Sequence, residues 1–478
     1  IRDLEGERLR VSSPYQQSAF LATRTELYEA VAAAAYRTQR LDLLLEISEL
    51  LKARAALRSR LAPSTPSENG DLDAELRACN AGLLAATPES DQERSLRERR
   101  RWLFSARAIR RAGDGQVMPP ISVAALQAVL TPQEAAITWF WLGTATLIVL
   151  ALTADRTRHM VVKLDANQQA RLADYLACIH ALAEAQPRYG TLIPAMDALI
   201  AEIGPVLLPQ AARDLLDGKT RLILCPHRQL HLFAFHAVLH DGSPLGATYA
   251  IRYTPSLSSL FVPWRGDGQE AVLLVGVRQF DDPALPELPE AEQEALTVAA
   301  LHGPNGRALT GATKAQFLAQ ALPSLRCLHL ATHGSSVLTG AAADDPLDCA
   351  LHLRDAAVSG WELTGLHLPA ELVVLATCHS AQRAIAGRGL DSLPGDDLFG
   401  LPATLCEAGV HQLLGALWSA QDNAARTIVS EFHRAYARGA EADVALRDAL
   451  HAYLANASHP REAFFWAPFT LTAFSRRV

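Results

Sequence analysis

Two segments, LRCLHLATHG at 325–334 and ELVVLATCHS at 371–380, constrain the fold of this chain more than any other feature. Each carries an apolar run of strand length, and each run breaks at a reactive side chain: His333 followed by Gly334, and Cys378 followed by His379. Near-continuous rather than alternating apolar runs mark strands buried on both faces, as in parallel sheets covered by helices. The two strands are therefore expected in the middle of such a sheet. Ligands and chemistry gather at the carboxyl ends of parallel strands, where loops leave a rigid platform. His333 and Cys378 would emerge there side by side.

Strand and helix patterns alternate from about residue 119 onward. Strands are expected at 138–142, 146–153, 159–164 and 221–225, and helices at 168–185 and 192–206, while a run at 230–239 ends at the turn signal Asp241-Gly242. After a polar, Gly-bearing stretch at 264–270 the theme repeats. Strands are expected at 271–277, 327–332, 372–377 and 412–418, with helices at 289–301, 314–321, 396–408, 424–437 and 440–454. This alternation predicts an α/β fold, a three-layer sandwich with a mostly parallel sheet.

The first 112 residues read differently. Leu27, Val31, Ala34 and Ala35, then Leu43, Leu44, Ile47, Leu50 and Leu51, recur at helical spacing. A break at 38–41 predicts an antiparallel helix pair of the kind that stacks in helical repeats. A Pro/Ser/Gly linker at 63–70 leads to a second, highly charged helical stretch at 71–112, whose charge run at 97–101 reads as a solvated face. Three units result: an all-α region at 1–115, an α/β block at 116–266 and a second α/β block at 267–478.

Residues 135–154 carry no charge over about the length that spans a bilayer. Their aromatic and β-branched residues on either side of Gly143-Thr144 read instead as a β-hairpin, extended by a third strand after a polar turn at 155–158. No membrane span is expected.

With 478 residues and a formal net charge of −7, the chain gives no electrostatic case for direct binding of nucleic acid. Its seven cysteines (Cys79, Cys178, Cys225, Cys327, Cys349, Cys378 and Cys406) are irregularly spaced and sit mostly in apolar runs. They read as reduced, buried thiols rather than a disulfide framework, which suits a cytoplasmic enzyme. The sequence begins at Ile1 without Met, so the lack of a signal peptide carries little weight. His227, His231, His236 and His240 cluster, but position 228 is Arg where a metallopeptidase helix needs Glu, and Pro226 argues against a helix. Neither a metal nor a cofactor is expected.

A thiol with a pKa of about 8.5 is only slightly ionised at neutral pH, so a nucleophilic Cys needs an imidazole to take its proton. His333 and Cys378 meet that need as base and nucleophile, which predicts a cysteine peptidase. The acyl oxyanion needs backbone donors; the N–H of Gly334, with no side chain in the way, and that of Cys378 are the candidates. An orienting carboxylate for the base is not evident.

These segments resemble the CHAT family, caspase-like peptidases often fused to tetratricopeptide repeats, within the wider group of caspases, metacaspases and separases. The resemblance rests on LHLATHG at 328–334, VVLATCHSA at 373–381, GDDLFGLPATLCEAGVHQLLGALWSAQD at 395–422 and FFWAPFTLTAF at 464–474, together with LILCPHRQLHLFAFHAVL at 222–239. It implies hydrolysis of a peptide bond in a protein substrate, with His333 as base and Cys378 as nucleophile. It implies further that 267–478 is the active caspase-like domain, that 116–266 is a degenerate caspase-like half as separases have, and that the helical region is TPR-like. Similar proteins often act in bacterial immunity, so control by a regulatory protein bound to residues 1–112 is expected, in a defence setting.

One departure bears on specificity. Metacaspases carry an acidic residue two positions before the nucleophile, where this chain has Ala376. Preference for a basic residue before the cut then depends on Asp396 or Asp397, which equally suit the N-terminal cap of a predicted helix. Trp418, Ser419 and Asp422 are the other substrate-binding candidates, with an extended peptide pairing along the backbone at 418–420 as an added strand. Trp418 equally suits a cap on the core. The alternative function is a catalytically inactive CHAT-type scaffold for protein–protein interaction, although a scaffold needs neither His333 nor Cys378.

Overall fold

The computed structural model describes residues 24–52, 57, 70–85, 90–112, 121–182, 189–264, 269–321, 324–335, 349–364, 366, 368–376 and 400–477. Eleven strands form one sheet through both α/β blocks: β1 (Glu134–Leu142), β2 (Thr146–Thr153), β3 (Thr157–Lys163), β4 (Arg221–Cys225), β5 (Ala250–Tyr253), β6 (Val272–Gly276), β7 (Gly306–Thr310), β8 (Leu325–Ala331), β9 (Ala370–Leu375), β10 (Gln412–Ala416) and β11 (Phe469–Ala473). Their order is β7-β6-β8-β9-β10-β11-β5-β4-β1-β2-β3.

Strands β6 to β10 are mutually parallel. β11 runs against β10, and β5, β4 and β1 follow β11's direction. The carboxyl ends of β4 and β5 therefore lie at the opposite edge of the sheet from those of β8 and β9. The expected strands β8 and β9 are adjacent, in register from Leu325↔Ala370 to Leu330↔Leu375, and are flanked by β6 and β10. Every residue of these strands is buried except Arg326 and Glu371, which are partly covered.

Helices cover both faces, as the alternation predicts. One face carries α6 (Ala166–Ala181), α7 (Tyr189–Leu207), α8 (Ala291–Leu301), α11 (Asp422–Ala437) and α12 (Ala442–Ala455), whose buried residues share a core with Trp139, Leu224, Leu274, Cys327 and Leu372. On the other face, α9 (Lys314–Ala321) and α10 (Gly400–Ala408) pack on Leu328, Leu330, Val373 and Leu375. The charge-free run at 135–154 is the β1–β2 hairpin, with Gly143 in the left-handed conformation at its turn (φ 64°). Its apolar residues are spent on two cores, Trp139 and Trp141 facing one side and Phe140 and Ile148 the other. Helix α7 is apolar and long enough to cross a membrane by length and composition. Here Met196, Leu199, Ile200, Ile203 and Leu207 pack into the sheet's core, and Trp139 Nε1–H donates to Leu207 O at 2.7 Å.

Strands β5, β7 and β11 were not anticipated. β5 and β7 are short, β7 is a partly exposed edge, and β11 pairs only through partners distant in sequence. In the helical region the expected pair is present as α1 (Thr25–Arg37) and α2 (Leu41–Leu50), broken where Gln39 takes a positive φ of 55°. Among the described residues the pair does not stack on another helix pair. Tyr28, Ala32, Ala35, Leu44, Ile47 and Leu50 lie on Phe140 and Ile148, making α1–α2 a layer over β1 and β2. The charged stretch expected at 71–112 is two helices, α3 (Gly70–Ala85) and α4 (Asp91–Ala112), the second opened by Ser90, whose hydroxyl accepts from Glu93 N at 3.1 Å.

Candidate functional site

The site begins where β6, β8 and β9 end together. Val277 N donates to Ala331 O at 3.0 Å and Ala376 N to Leu330 O at 3.0 Å, so the chain leaves three neighbouring strands at one level. His333 follows β8 by two residues and is half-buried. The chain from β9 is described as far as Ala376; Cys378, two positions further on, lies outside the described residues, as do Asp396 and Asp397.

The loop from β6 to α8 reaches over His333. Its Pro286 carbonyl oxygen is 2.8 Å from His333 Nε2, and Phe280 lies against the imidazole with ring centroids 4.9 Å apart. A carbonyl oxygen can only accept, so Nε2 carries the proton and Nδ1 is left with its lone pair in the neutral ring. The orienting partner missing from the sequence is thus a backbone carbonyl. The Pro-rich segment at 283–289 was the available signal, though a backbone acceptor has no residue signature.

The loop is braced in turn. Leu288 N donates to Arg278 O at 2.9 Å, and Asp281 N to Arg354 O at 2.8 Å. Arg354 sits in the turn of a small three-stranded antiparallel sheet, Gly334–Ser335, Ala350–His352 and Ala357–Ser359, that continues directly from His333. His352 N donates to His333 O at 2.9 Å, and Thr332 Oγ1 donates to His352 O. Antiparallel pairs alternate between bonded and non-bonded, so Gly334, opposite Leu351, falls at a non-bonded position with its N–H turned away from the small sheet. Burial first, and then the electrostatic influence of the neighbouring His333, hold the His352 imidazole below its ordinary pKa, with Asp282 opposing.

Of the other candidates, Trp418 is wholly buried and donates from Nε1 to Phe464 O at 3.0 Å. Its ring is enclosed in the core. Ser419 is partly exposed just beyond it, and Asp422 is the first residue of α11. The four clustered histidines do not converge. His227 is stacked on Phe140 and accepts from Trp141 N, while His236 is bonded to Tyr253 and to Ala467 O. Among the described residues no group of three or more His, Cys, Asp or Glu could hold a metal.

A buried imidazole chain went unnoticed in the sequence. His302 Nε2 meets His433 Nδ1 at 3.0 Å, His433 Nε2 meets His329 Nδ1 at 3.1 Å, and His329 Nε2 lies 3.0 Å from Glu294. It ties α8 and α11 to β8, four residues before His333.

A family model described as the CHAT domain matches residues 196–473. The chain belongs to the CHAT-domain family. Among solved structures, this CHAT protein resembles separase in the Saccharomyces cerevisiae separase–securin complex with a TM-score of 0.50 at 11% identity, over 92% of this chain. At that identity the likeness is one of fold, and this chain spans 37% of the separase chain. The Arg-specific cysteine proteinase gingipain R gives a TM-score of 0.37 at 9% identity over 64% of this chain and 74% of that one. No curated protein matches the sequence. The helix-covered, mostly parallel sheet of this CHAT protein thus shares its fold with separase.

Proposed function

We propose that this CHAT protein is a cysteine endopeptidase acting on a protein substrate, with Cys378 as nucleophile and His333 as base. The observation that carries the reading is His333 itself. It stands at the carboxyl end of β8 with its proton-bearing nitrogen committed to Pro286, beside the strand whose continuation leads to Cys378. Nδ1 takes the thiol proton of Cys378, and the thiolate attacks the scissile carbonyl. The N–H groups of Gly334 and Cys378 receive the oxyanion. His333 then protonates the leaving amine, and water cleaves the thioester so formed. The substrate lies extended along the backbone at 418–420, and Ser419, Asp422, Asp396 and Asp397 are the candidates for binding it.

The reading includes the two blocks as caspase-like halves, 116–266 degenerate and 267–478 active. It also includes a cytoplasmic setting and control by a regulatory protein acting on residues 1–112, in bacterial defence. The test is incubation of the purified chain with candidate protein substrates, beside Cys378→Ala, a thiol-directed covalent inhibitor and a chelator. Cleavage lost in the variant and with the thiol reagent, but kept with the chelator, is the expected result. Cleavage that persists in Cys378→Ala ends the nucleophile assignment, and a chain that binds partners yet cleaves none of them favours the scaffold.

A further inference from the structure

The one-turn helix Gly360–Leu363 has two faces that belong to different bodies. Leu363 is buried in the core beneath the peptidase sheet, with Leu351, Val358 and Leu405. Trp361, two residues earlier, lies in a separate cluster with Leu72, Leu76 and Cys79 of α3 and Leu103 of α4. Arg100 of α4 places its guanidinium 4.4 Å over the indole. The cover on Trp361 in this cluster therefore comes from the helical region, and the residue is 4% exposed.

From Trp361 the chain leads to the site through a series of short, bonded steps. Ser359 closes a capping box with Glu362, and Gly360 N donates to Cys349 O at 2.5 Å. Ser359 pairs with Ala350, Val358 with Leu351 and Ala357 with His352, and Leu351 pairs in turn with Gly334. Two ladder spacings, about 10 Å, separate the strand that enters Trp361 from the one that leaves His333. The far end of the same small sheet holds the Pro286 loop through Arg354. A three-stranded ladder anchored at both ends moves as a unit, so a shift of α3–α4 against Trp361 is carried to the backbone of His333 and Gly334.

We propose that Trp361 is a positioning residue for the site: the point at which α3–α4 sets the placement of His333 and Gly334. This rests on the peptidase reading above and gives control through the helical region a physical route. Helix pair α1–α2, packed on β1 and β2 at the far side of the sheet, is not on this route.

The test follows iodoacetamide alkylation of the full chain from pH 6 to 9. The six described cysteines are all buried, so a fast phase absent from Cys378→Ala reports on Cys378 paired with His333. Trp361→Ala, and Arg100→Gln on α4, are expected to slow that phase roughly tenfold at pH 7 and to move its pH midpoint toward about 8.5, the value of an unassisted thiol. Trp361→Phe, which keeps a ring under Arg100, should stay within about threefold of the parent. Thermal unfolding checks that each variant is folded, and Arg100→Gln decides the matter if Trp361→Ala is not. A folded variant of either kind with the parent's rate and midpoint overturns the positioning role while leaving the peptidase reading intact. A parent with no Cys378-dependent fast phase overturns both.

Discussion

His333 donates from Nε2 to the carbonyl oxygen of Pro286 at 2.8 Å, across the loop that joins β6 to α8. An imidazole held by a main-chain carbonyl keeps one tautomer without a buried charge beside it. With Phe280 against the ring, the imidazole is fixed by one hydrogen bond and one apolar contact, and both come from the same loop. Cys378→Ala and His333→Ala should each abolish cleavage. Phe280→Ala should lower kcat about tenfold with KM little changed, because it loosens orientation and not substrate contact. Steady-state kinetics on a cleaved protein substrate decide this; a KM effect alone would assign Phe280 to binding instead.

Trp418 gives a prediction of the opposite kind. Its indole is enclosed and bonded to Phe464 O, so Trp418→Ala should cost about 3–5 kcal/mol of stability through the cavity it leaves. Trp418→Phe, which loses the N–H and less volume, should keep KM near the parent's. Urea unfolding read beside KM separates the two roles, and a large rise in KM for the Phe variant would return Trp418 to the cleft.

The helical region is pinned to the first block by a buried ion pair. Lys52 Nζ lies 3.7 Å from Glu49 Oε1 and donates to Thr138 Oγ1 at 2.5 Å, while Glu49 Oε2 accepts from Ser256 Oγ at 2.5 Å and Ser258 N at 3.1 Å. Removing one partner leaves the other charge uncompensated away from water, so Lys52→Met or Glu49→Gln alone should cost about 3–5 kcal/mol. The double variant Glu49→Gln/Lys52→Met should cost clearly less than the sum. A double-mutant cycle by urea unfolding tests the coupling, and simple additivity would deny it.

Acid should weaken the fold before most carboxylates titrate. Burial pushes His236 down to about 4, and burial followed by the charges of Arg326 and His329 does the same for His302. An unfolded imidazole titrates near about 6.5. Between the two values the unfolded chain binds more protons, so stability rises with pH through this window and is lost as pH falls through it. Each group contributes up to about 3 kcal/mol across the window. Asp197 and Glu371, raised by burial, act with the opposite sign. The comparison is therefore between the parent and His236→Gln, by urea unfolding at pH 7 and pH 4.5. The variant should show a shallower pH dependence; an unchanged slope would mean that His236 is not held neutral.

Strands β8 and β9, their place inside a parallel sheet and the exit of His333 from its edge were legible in the sequence, because strands buried on both faces need unbroken apolar runs. The β1–β2 hairpin was legible for a related reason: aromatic and β-branched residues about a Gly turn define a hairpin locally, whatever covers it later. The helix pair α1–α2 could be read from its spacing, but its role could not. An amphipathic stripe states that one face is buried, not whether a sheet or another helix buries it, and here Phe140 and Ile148 do so. Pro286, the partner of His333, was out of reach because every residue carries a carbonyl and only folding selects one. Trp418 was ambiguous because a Trp at a strand end can point either way, and only the fold brings its indole N–H to the carbonyl of Phe464. The sequence by itself determined which segments are buried and which side chains stand at strand ends, since both follow from local periodicity. Only the tertiary structure decided which neighbours those side chains meet, since that depends on contacts between residues far apart in the chain.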